Sequence, residues 1–306
     1  MFDLAIISNL ALDTVTQGSI TIAKDRLGGP PFYAGGAAAS LGLKVTLISK
    51  IGYDFPQSYL SLLRNLGINL DYTSRSIRKT TRYLLNYRGE ERSLKLLSSA
   101  DKIKLNDITM VNAKYVLISP IAKELTLKEL KPLIDYYKSR KSKVMLDIQG
   151  FVRRFSKNGL VSYKTSNLLI RAFKDVDLVK MSNIEQQALL PNCSPLEAIM
   201  KLRRLTRAIV VVTLGPKGCL IGLNEGVFHV PSKEILTSDT TGAGDVFAGV
   251  FTYYMSKIAE NPLRAACFSS AYTSFFLELK DFKLTVKNIV SVNKLAEEIM
   301  REVKKL

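Results

Sequence analysis

Seven consecutive residues, Asp239-Thr240-Thr241-Gly242-Ala243-Gly244-Asp245, combine the side chains and spacing that phosphoryl transfer needs. The small residues Gly242, Ala243 and Gly244 lead directly into an apolar stretch that reads as a helix over 243–258. A glycine-rich turn entering a helix leaves backbone N–H groups without partners and puts the positive end of the helix dipole beside them. Such a turn suits an anion, above all the oxygens of a phosphoryl group in transit. Asp245 then falls in the first helical turn, where a carboxylate can accept the proton of an attacking hydroxyl. Alone, the run reads equally well as a tight turn followed by an acidic helix cap, because short glycine motifs are common. It is not a GxxxxGK[ST] phosphate loop, which the chain lacks.

Two further runs carry polar groups at strand ends. In Val-Thr-Leu-Gly-Pro-Lys-Gly, Thr213, Gly215 and Gly218 would let backbone approach a flat base or a phosphate; alone, a strand turn explains them better. In Lys-Met-Ser-Asn-Ile-Glu-Gln, Ser182 and Glu185 spell a helix-start capping box. The chain has one histidine, His229, which disfavours mechanisms built on a histidine base with histidine ligands. Acid–base work falls to carboxylates or lysines. Cys193, Cys219 and Cys267 form no CxxC pair and are expected as buried small hydrophobes.

These groups need a scaffold. Apolar, β-branched runs at 4–8, 45–50, 115–119, 143–147, 178–181 and 209–213 read as buried strands. Helical patterns at 56–66, 126–139 and 195–206 alternate with them, and a charged helix at 286–305 closes the chain. Alternation of this kind predicts an α/β fold with a mostly parallel sheet covered on both faces, and ligands at the carboxyl ends of its strands. Segments 14–24 and 80–97 break the rhythm with hairpin character, the second turning at 88–91. They are expected to pair as a small separate sheet, a lid or an oligomer contact. One domain over 1–306 with this insertion is preferred to two.

The 306 residues are 47% hydrophobic, enough for a large core. No apolar stretch reaches the ~20 residues that span a bilayer, and the start of the chain lacks a basic leader. A soluble, cytoplasmic protein without a membrane partner is expected. Net charge is +17, with basic residues spread along the chain and only local clusters such as KSRKSK. Without an RNA- or DNA-binding signature, a general attraction for anionic ligands, or simply a solvated surface, is favoured over nucleic-acid binding.

With these runs in order, the chain resembles the PfkB/ribokinase family of carbohydrate and nucleoside kinases. DTTGAGD is similar to the family's C-terminal signature, and GGPPFYAGGAAASLGLKVTLISKIGYDFP to its N-terminal one. The resemblance implies a ribokinase-like three-layer sandwich with a small β-sheet lid, ATP and Mg²⁺ as cofactors, and a small polyhydroxylated substrate. It implies Asp245 as base, Gly242, Ala243 and Gly244 as anion hole, and Asp13, at the end of the first strand, with Gly28 and Gly29 at the substrate. Thr213, Gly215, Gly218 and Lys180 are assigned to the nucleotide. The family's Asn-x-x-Glu motif near the phosphates and Mg²⁺ fits this sequence in two registers: Ser182 with Glu185 keeps the carboxylate, and Asn183 with Gln186 keeps the amide and loses it. The first is preferred, which assigns Glu185 to the metal, because Mg²⁺ and its waters want an anionic oxygen. Asp239 and Thr241 are assigned to a monovalent cation, as in some members. Lid-to-lid pairing offers a route to a homodimer.

Two positions depart from the pattern. Tyr33 stands where the first signature usually has Asn, and Ala11 where Asn often precedes the substrate Asp. Both remove amide groups from the expected pocket, which shifts selectivity; Tyr33 would stack on a ring or close the pocket. Tyr33 and the run LDIQGFVR are similar to the archaeal and plant inositol kinases, so Gln149 and Arg153 join the substrate residues and a cyclitol such as myo-inositol is favoured. A nucleoside kinase is the alternative, and a non-catalytic nucleic-acid-binding or regulatory protein on the same fold the remote one.

Overall fold

The first strand, Phe2–Ile7, is buried on both sides. Leu4 and Ile6 pack into one apolar cluster while Ala5 and Ile7 pack into another. A two-residue side-chain period makes this inevitable for a continuous apolar run inside a covered sheet. The computed structural model describes residues 1–88, 91–235, 237 and 239–306. Its large sheet runs in the order Lys304–Lys305, Gly226–Val230, Cys219–Leu223, Ile209–Thr213, Leu178–Ser182, Lys143–Asp147, Ala113–Ile118, Phe2–Ile7, Val45–Ile51, Ile68–Asn69. Pairings from Ile209–Thr213 to Ile68–Asn69 are parallel, and the three at the other end antiparallel. One face packs on helices Pro30–Ser40, Ala243–Tyr253, Pro262–Leu279 and Val286–Glu302, the other on Leu127–Ser139, Asn167–Ala172 and Pro195–Arg203. The expected three layers are present.

A separate four-stranded sheet has the order Ile20–Gly28, Ala11–Gln17, Thr81–Arg88, Glu91–Ser98. The segments at 14–24 and 80–97 do pair, in strands longer than the sequence suggested. The turn expected at 88–91 falls partly on residues 89–90, outside the described residues. Tyr83 and Leu85 form the buried inner face of this sheet with Ala11, Ile121 and Ala122. Arg82 ties the sheet to the body. It pairs with Asp25 and, at 3.0 Å, with Asp54, whose carboxylate also accepts from the Thr80 backbone N–H and hydroxyl at 2.7 Å each. Burial opposes ionisation of Asp54, but the Thr80 and Arg82 contacts outweigh it and pull its carboxyl down to about 2.

Three expectations change. Asp13 is not at the end of the first strand, which stops at Ile7; it lies within Ala11–Gln17 of the small sheet. The chain crosses between sheets at Asn9, whose amide oxygen accepts from the Lys50 N–H and whose amide nitrogen donates to the Asp101 carbonyl. The helix at 243–258 is α-helical only over Ala243–Tyr253 and widens to a π turn over Tyr254–Ile258, where the Tyr115 hydroxyl donates to the Met255 carbonyl at 3.3 Å. The last helix ends at Glu302, because Lys304–Lys305 leave it to pair with Phe228 and His229 as an edge strand. The three cysteines are buried and unpaired, and His229 Nε2 lies 2.8 Å from the Lys217 carbonyl.

Candidate active site

A cavity of about 1010 Å³ opens where the parallel strands end and the small sheet leans over them. Asp147, Lys180, Ser182 and Thr213 come to it from the carboxyl ends of three adjacent strands. That is where an open α/β sheet offers ligands free backbone and helix starts. Asp13, Gly29, Tyr33, Gln149, Arg153, Lys180, Glu185, Thr213, Gly215 and Thr241 all line it, with Gly242 through Asp245. Of the residues assigned from sequence, Gly28, Gly218 and Asp239 do not line it. Gly28 lies against the Asp13 carboxylate, leaving no room for a side chain. Gly218 packs on the Val230 and Pro231 backbone and holds the turn, its carbonyl accepting from Leu214 N–H at 2.7 Å.

The glycine turn has the geometry its sequence suggests. Gly242 is left-handed, with φ 83°, and caps the helix Ala243–Tyr253. Any side chain there would overlap the Tyr33 ring as well as strain the backbone. The Ala243 N–H is already bonded to the Thr240 carbonyl at 3.2 Å, so within the first helical turn the donors open to an anion are those of Gly244 and Asp245. A methyl carbon on Gly244 would lie 3.2 Å from Lys180 Nζ, so the ammonium stands over the same spot. A cradle of two N–H groups and one ammonium fits a phosphoryl group.

Asp245 sits on the cavity floor. Gln149 Nε2 donates to its Oδ1 at 3.1 Å. Gln149 also donates to the Ser119 hydroxyl at 3.0 Å and accepts from Arg153 at 2.8 Å. The Arg153 guanidinium, bonded also to the Ile121 carbonyl at 2.9 Å, thereby turns the Gln149 amide so that its N–H faces the Asp245 carboxylate. Burial, and then the neighbouring Asp147 charge, push the Asp245 carboxyl up to about 7; Lys180, Gln149 and Arg153 act in the other direction. Gln149 and Arg153, assigned from sequence to substrate, line the cavity and are tied to the Asp245 carboxylate, Gln149 directly and Arg153 through Gln149.

Asp147 is the residue that sequence reasoning left without a role. Its Oδ2 lies 2.6 Å from Lys180 Nζ, and the pair is almost entirely buried, at 1% and 7% side-chain exposure. Burial works against the Lys180 charge, but Asp147, Asp245 and Glu185 outweigh it and hold the ammonium above its ordinary value. A strand-end Asp following Val-Met-Leu is the one available signal for it. The small sheet supplies a second missed group: Tyr83, Leu85 and Tyr87 line the cavity. Their two-residue spacing in the sequence already places them on one face.

Ser182 and Glu185 form the capping box, with Ser182 N–H to Glu185 Oε2 at 2.7 Å and Glu185 N–H to Ser182 Oγ at 3.3 Å. Gln186 turns away to the Leu190 and Cys193 carbonyls, so only the Ser182–Glu185 register brings a carboxylate to the cavity. No cluster of three or more His, Cys, Asp or Glu able to hold a metal ion occurs among the described residues. A divalent ion here would be held chiefly by nucleotide phosphates and water, with Glu185 nearby, as small hard cations often are. Tyr33 is packed edge-on against Phe276 and lies against Gly242, closing this side of the cavity. Burial, the largest influence, pushes its hydroxyl's pKa well up.

Asp239 and Thr241 do not fit a monovalent cation. Asp239 Oδ2 lies 2.5 Å from Arg26 Nη1, and its Oδ1 accepts from the Thr241 N–H at 3.0 Å. Its main-chain carbonyl accepts from Lys280 Nζ, and the Thr241 hydroxyl is bonded to Tyr87 at 3.0 Å. Burial opposes the Asp239 charge, but Arg26 and Thr241 hold its carboxyl down at about 2.

Fold and site define an α/β protein with a glycine-rich helix start beside a carboxylate of raised pKa, at the carboxyl ends of its strands. The chain belongs to the pfkB family of carbohydrate kinases, whose profile matches residues 24–276. Members of that family are phosphotransferases acting on hydroxyl groups of sugars. The cytidine kinase of Thermococcus kodakarensis is 29% identical over 82% of this chain and 87% of its own length. Fructokinase-1 of Oryza sativa subsp. japonica is 34% identical, but over 31% of this chain, which spans only 28% of that relative's length. Among solved structures, a sulfate complex of a pyrophosphate-dependent kinase of the ribokinase family superposes with a TM-score of 0.82 at 20% identity, over 94% of this chain and 99% of that one. Arabidopsis thaliana ribokinase with ribose and ATP superposes at 0.70 and 19% identity, over 97% and 99%. Both share the fold. No helix among the described residues is long and apolar enough to cross a membrane.

Proposed function

We propose that this chain transfers a phosphoryl group from ATP to a hydroxyl of a small polyhydroxylated molecule, with a cyclitol such as myo-inositol favoured. The carrying observation is Asp245: a carboxylate in the first turn of the anion-binding helix, on the cavity floor, with its pKa raised to about 7 and an N–H donor fixed on one oxygen. A base of that strength is matched to a hydroxyl at neutral pH. ATP with its magnesium ion would supply the phosphoryl group and screen its charge. Asp245 takes the proton of the acceptor hydroxyl as the oxygen attacks. The Gly244 and Asp245 N–H groups and the Lys180 ammonium face the charge that builds on the phosphoryl oxygens. Asp147 holds Lys180 charged and in place. Asp13 and Gly29 face the acceptor, and the small sheet acts as a lid that excludes water through Tyr83, Leu85 and Tyr87. Thr213 and Gly215 border the nucleotide, with Glu185 near its metal.

Tyr33 and Ala11 support the cyclitol, since neither offers an amide to a sugar hydroxyl. A pyrophosphate-dependent kinase of the same fold, solved with myo-inositol, accommodates that acceptor in its own site. The similarity to a cytidine kinase over most of both chains supports a nucleoside as the second reading. Ile20 and Ile22 are exposed on the outer strand of the small sheet and support lid-to-lid pairing into a homodimer. The test is a turnover screen with Mg·ATP over inositols, pentoses, hexoses and nucleosides, repeated with pyrophosphate as donor. Preferred turnover of an inositol bears the proposal out. Preferred turnover of cytidine replaces the acceptor, and preferred use of pyrophosphate replaces the donor.

A further inference from the structure

The loop that opens the anion-binding helix is held by three groups from distant parts of the chain. Arg26 comes from the small sheet and lies 2.5 Å from the Asp239 carboxylate. Tyr87 comes from the same sheet and bonds the Thr241 hydroxyl at 3.0 Å. Lys280 comes from the opposite side, at the end of helix Pro262–Leu279, and donates to the Asp239 carbonyl. Lys280 is left-handed, with φ 53°, at a helix end where glycine is the usual residue. A lysine in that conformation, reaching across 41 positions to a main-chain oxygen, places an ammonium behind the loop; burial draws its pKa down and the Asp239 charge acts against that.

An alkali ion at this loop would need several oxygen ligands and no cation beside them. Here both side-chain oxygens and the carbonyl oxygen of Asp239 already take donors, two of them from cationic side chains. A potassium or sodium ion would have to displace these groups or sit among like charges, which repel it at short range in a partly buried setting. We propose that this chain supplies the cation of its anion loop from its own side chains, with Lys280 on the Asp239 carbonyl and Arg26 on the Asp239 carboxylate, and therefore works without potassium or sodium. Because Arg26 stands on the small sheet, the same charge couples the sheet's position to the loop. The proposal rests on the phosphate-binding role of the loop, but its first test needs no acceptor.

The wild-type protein is melted in potassium chloride and in tetramethylammonium chloride at equal ionic strength, and Mg·ATP affinity is measured in both. An ion that binds the native state would raise the melting temperature. The expected result is the same melting temperature and affinity in the two salts. A potassium-specific rise in either overturns the proposal without bearing on the kinase assignment. Failure of Mg·ATP to bind in either salt counts against the proposed donor and leaves the melting comparison to decide the cation. Lys280→Met is expected to weaken Mg·ATP binding about tenfold in tetramethylammonium, or about 1.4 kcal/mol. Recovery in potassium, or an equal loss in both salts, supports Lys280 as the loop's cation. Unchanged affinity in tetramethylammonium overturns it. Lys280→Arg keeps the charge and must behave as wild type; if Lys280→Met does not fold, this variant and the wild-type salt comparison decide.

Discussion

The Asp147 charge beside Asp245 makes a prediction that turns on the position of a pH limb. In the proposed role Asp245 works as a base only when ionised, and its carboxyl is pushed up to about 7. The dependence of kcat/KM on pH reports the free enzyme. It should therefore rise with pH through about 7 and level off above. One unit below the limb, at pH ~6, about one-tenth of the sites are ionised, so kcat/KM should be about a tenth of its plateau. Asp147→Asn removes the neighbouring negative charge and leaves Lys180 free to act on Asp245 alone, and both changes favour the ionised base. A unit charge at close range and an effective dielectric of ~20 is worth on the order of one to two pKa units. The limb should move down to about pH 5–6, so that the variant is near its plateau at pH 6. The plateau itself should fall, because the base is weaker and Lys180 is less firmly held. The assay is initial-rate kinetics with subsaturating acceptor across pH 4.5 to 9, values that span about two units either side of the limb. A limb that stays at about 7 in Asp147→Asn would refute the coupling. A flat wild-type profile across this range would refute the assignment of the base.

Other outcomes follow from the same contacts. Lys180→Met leaves Asp147 buried without its partner and should cost about 3–5 kcal/mol in denaturant unfolding, whereas Lys180→Met with Asp147→Leu should recover most of it; equal stability of the two variants would contradict the pair. Gly242→Ala meets both a left-handed backbone and the Tyr33 ring, and should lower stability by more than about 1 kcal/mol and weaken Mg·ATP binding, checked by melting and calorimetry. Asp54 is held at about 2 in the folded protein, so its contribution is complete above its unfolded value and is lost as pH falls toward 2. Arg82→Ala should therefore lower stability at neutral pH and lose less than wild type on acidification. Asp245 has the opposite sign: its raised carboxyl penalises folding increasingly from about pH 4 to 7, so Asp245→Asn should stabilise the protein above pH 7 by up to about 4 kcal/mol, less where water reaches the carboxylate.

Much of the architecture was legible because local chemistry and global fold agree. The strands Lys143–Asp147 and Ile209–Thr213 have the ends that their apolar runs suggest, and Gly242 to Asp245 adopt the helix start that small residues before an apolar helix require. Most of what the sequence did not reveal depends on contacts between distant positions. The role of Asp147 depends on Lys180, 33 residues away, and that of Asp239 on Arg26 and Lys280, 213 and 41 residues away. Asp13 was expected at the end of the first strand from the family resemblance, and nothing local corrects this, since the bonds that mark Asn9 as the crossing between sheets run to Lys50 and Asp101. Gln149 and Arg153 were assigned to the substrate, but Gln149 bonds the Asp245 carboxylate, 96 positions away, and Arg153 bonds Gln149. The capping box at Ser182 and Glu185 shows how one tetrapeptide can start a helix and bring a carboxylate to the site.

The base is tested most directly by Asp245→Asn, assayed for phosphoryl transfer and for Mg·ATP affinity in the same preparation. The substitution keeps the shape and the helix start, and removes the proton acceptor. The expected result is a loss of transfer of at least about a hundredfold, the lower end of what general base catalysis contributes, with Mg·ATP bound as tightly as by wild type. A variant that keeps most of its rate while binding Mg·ATP normally would contradict the central claim.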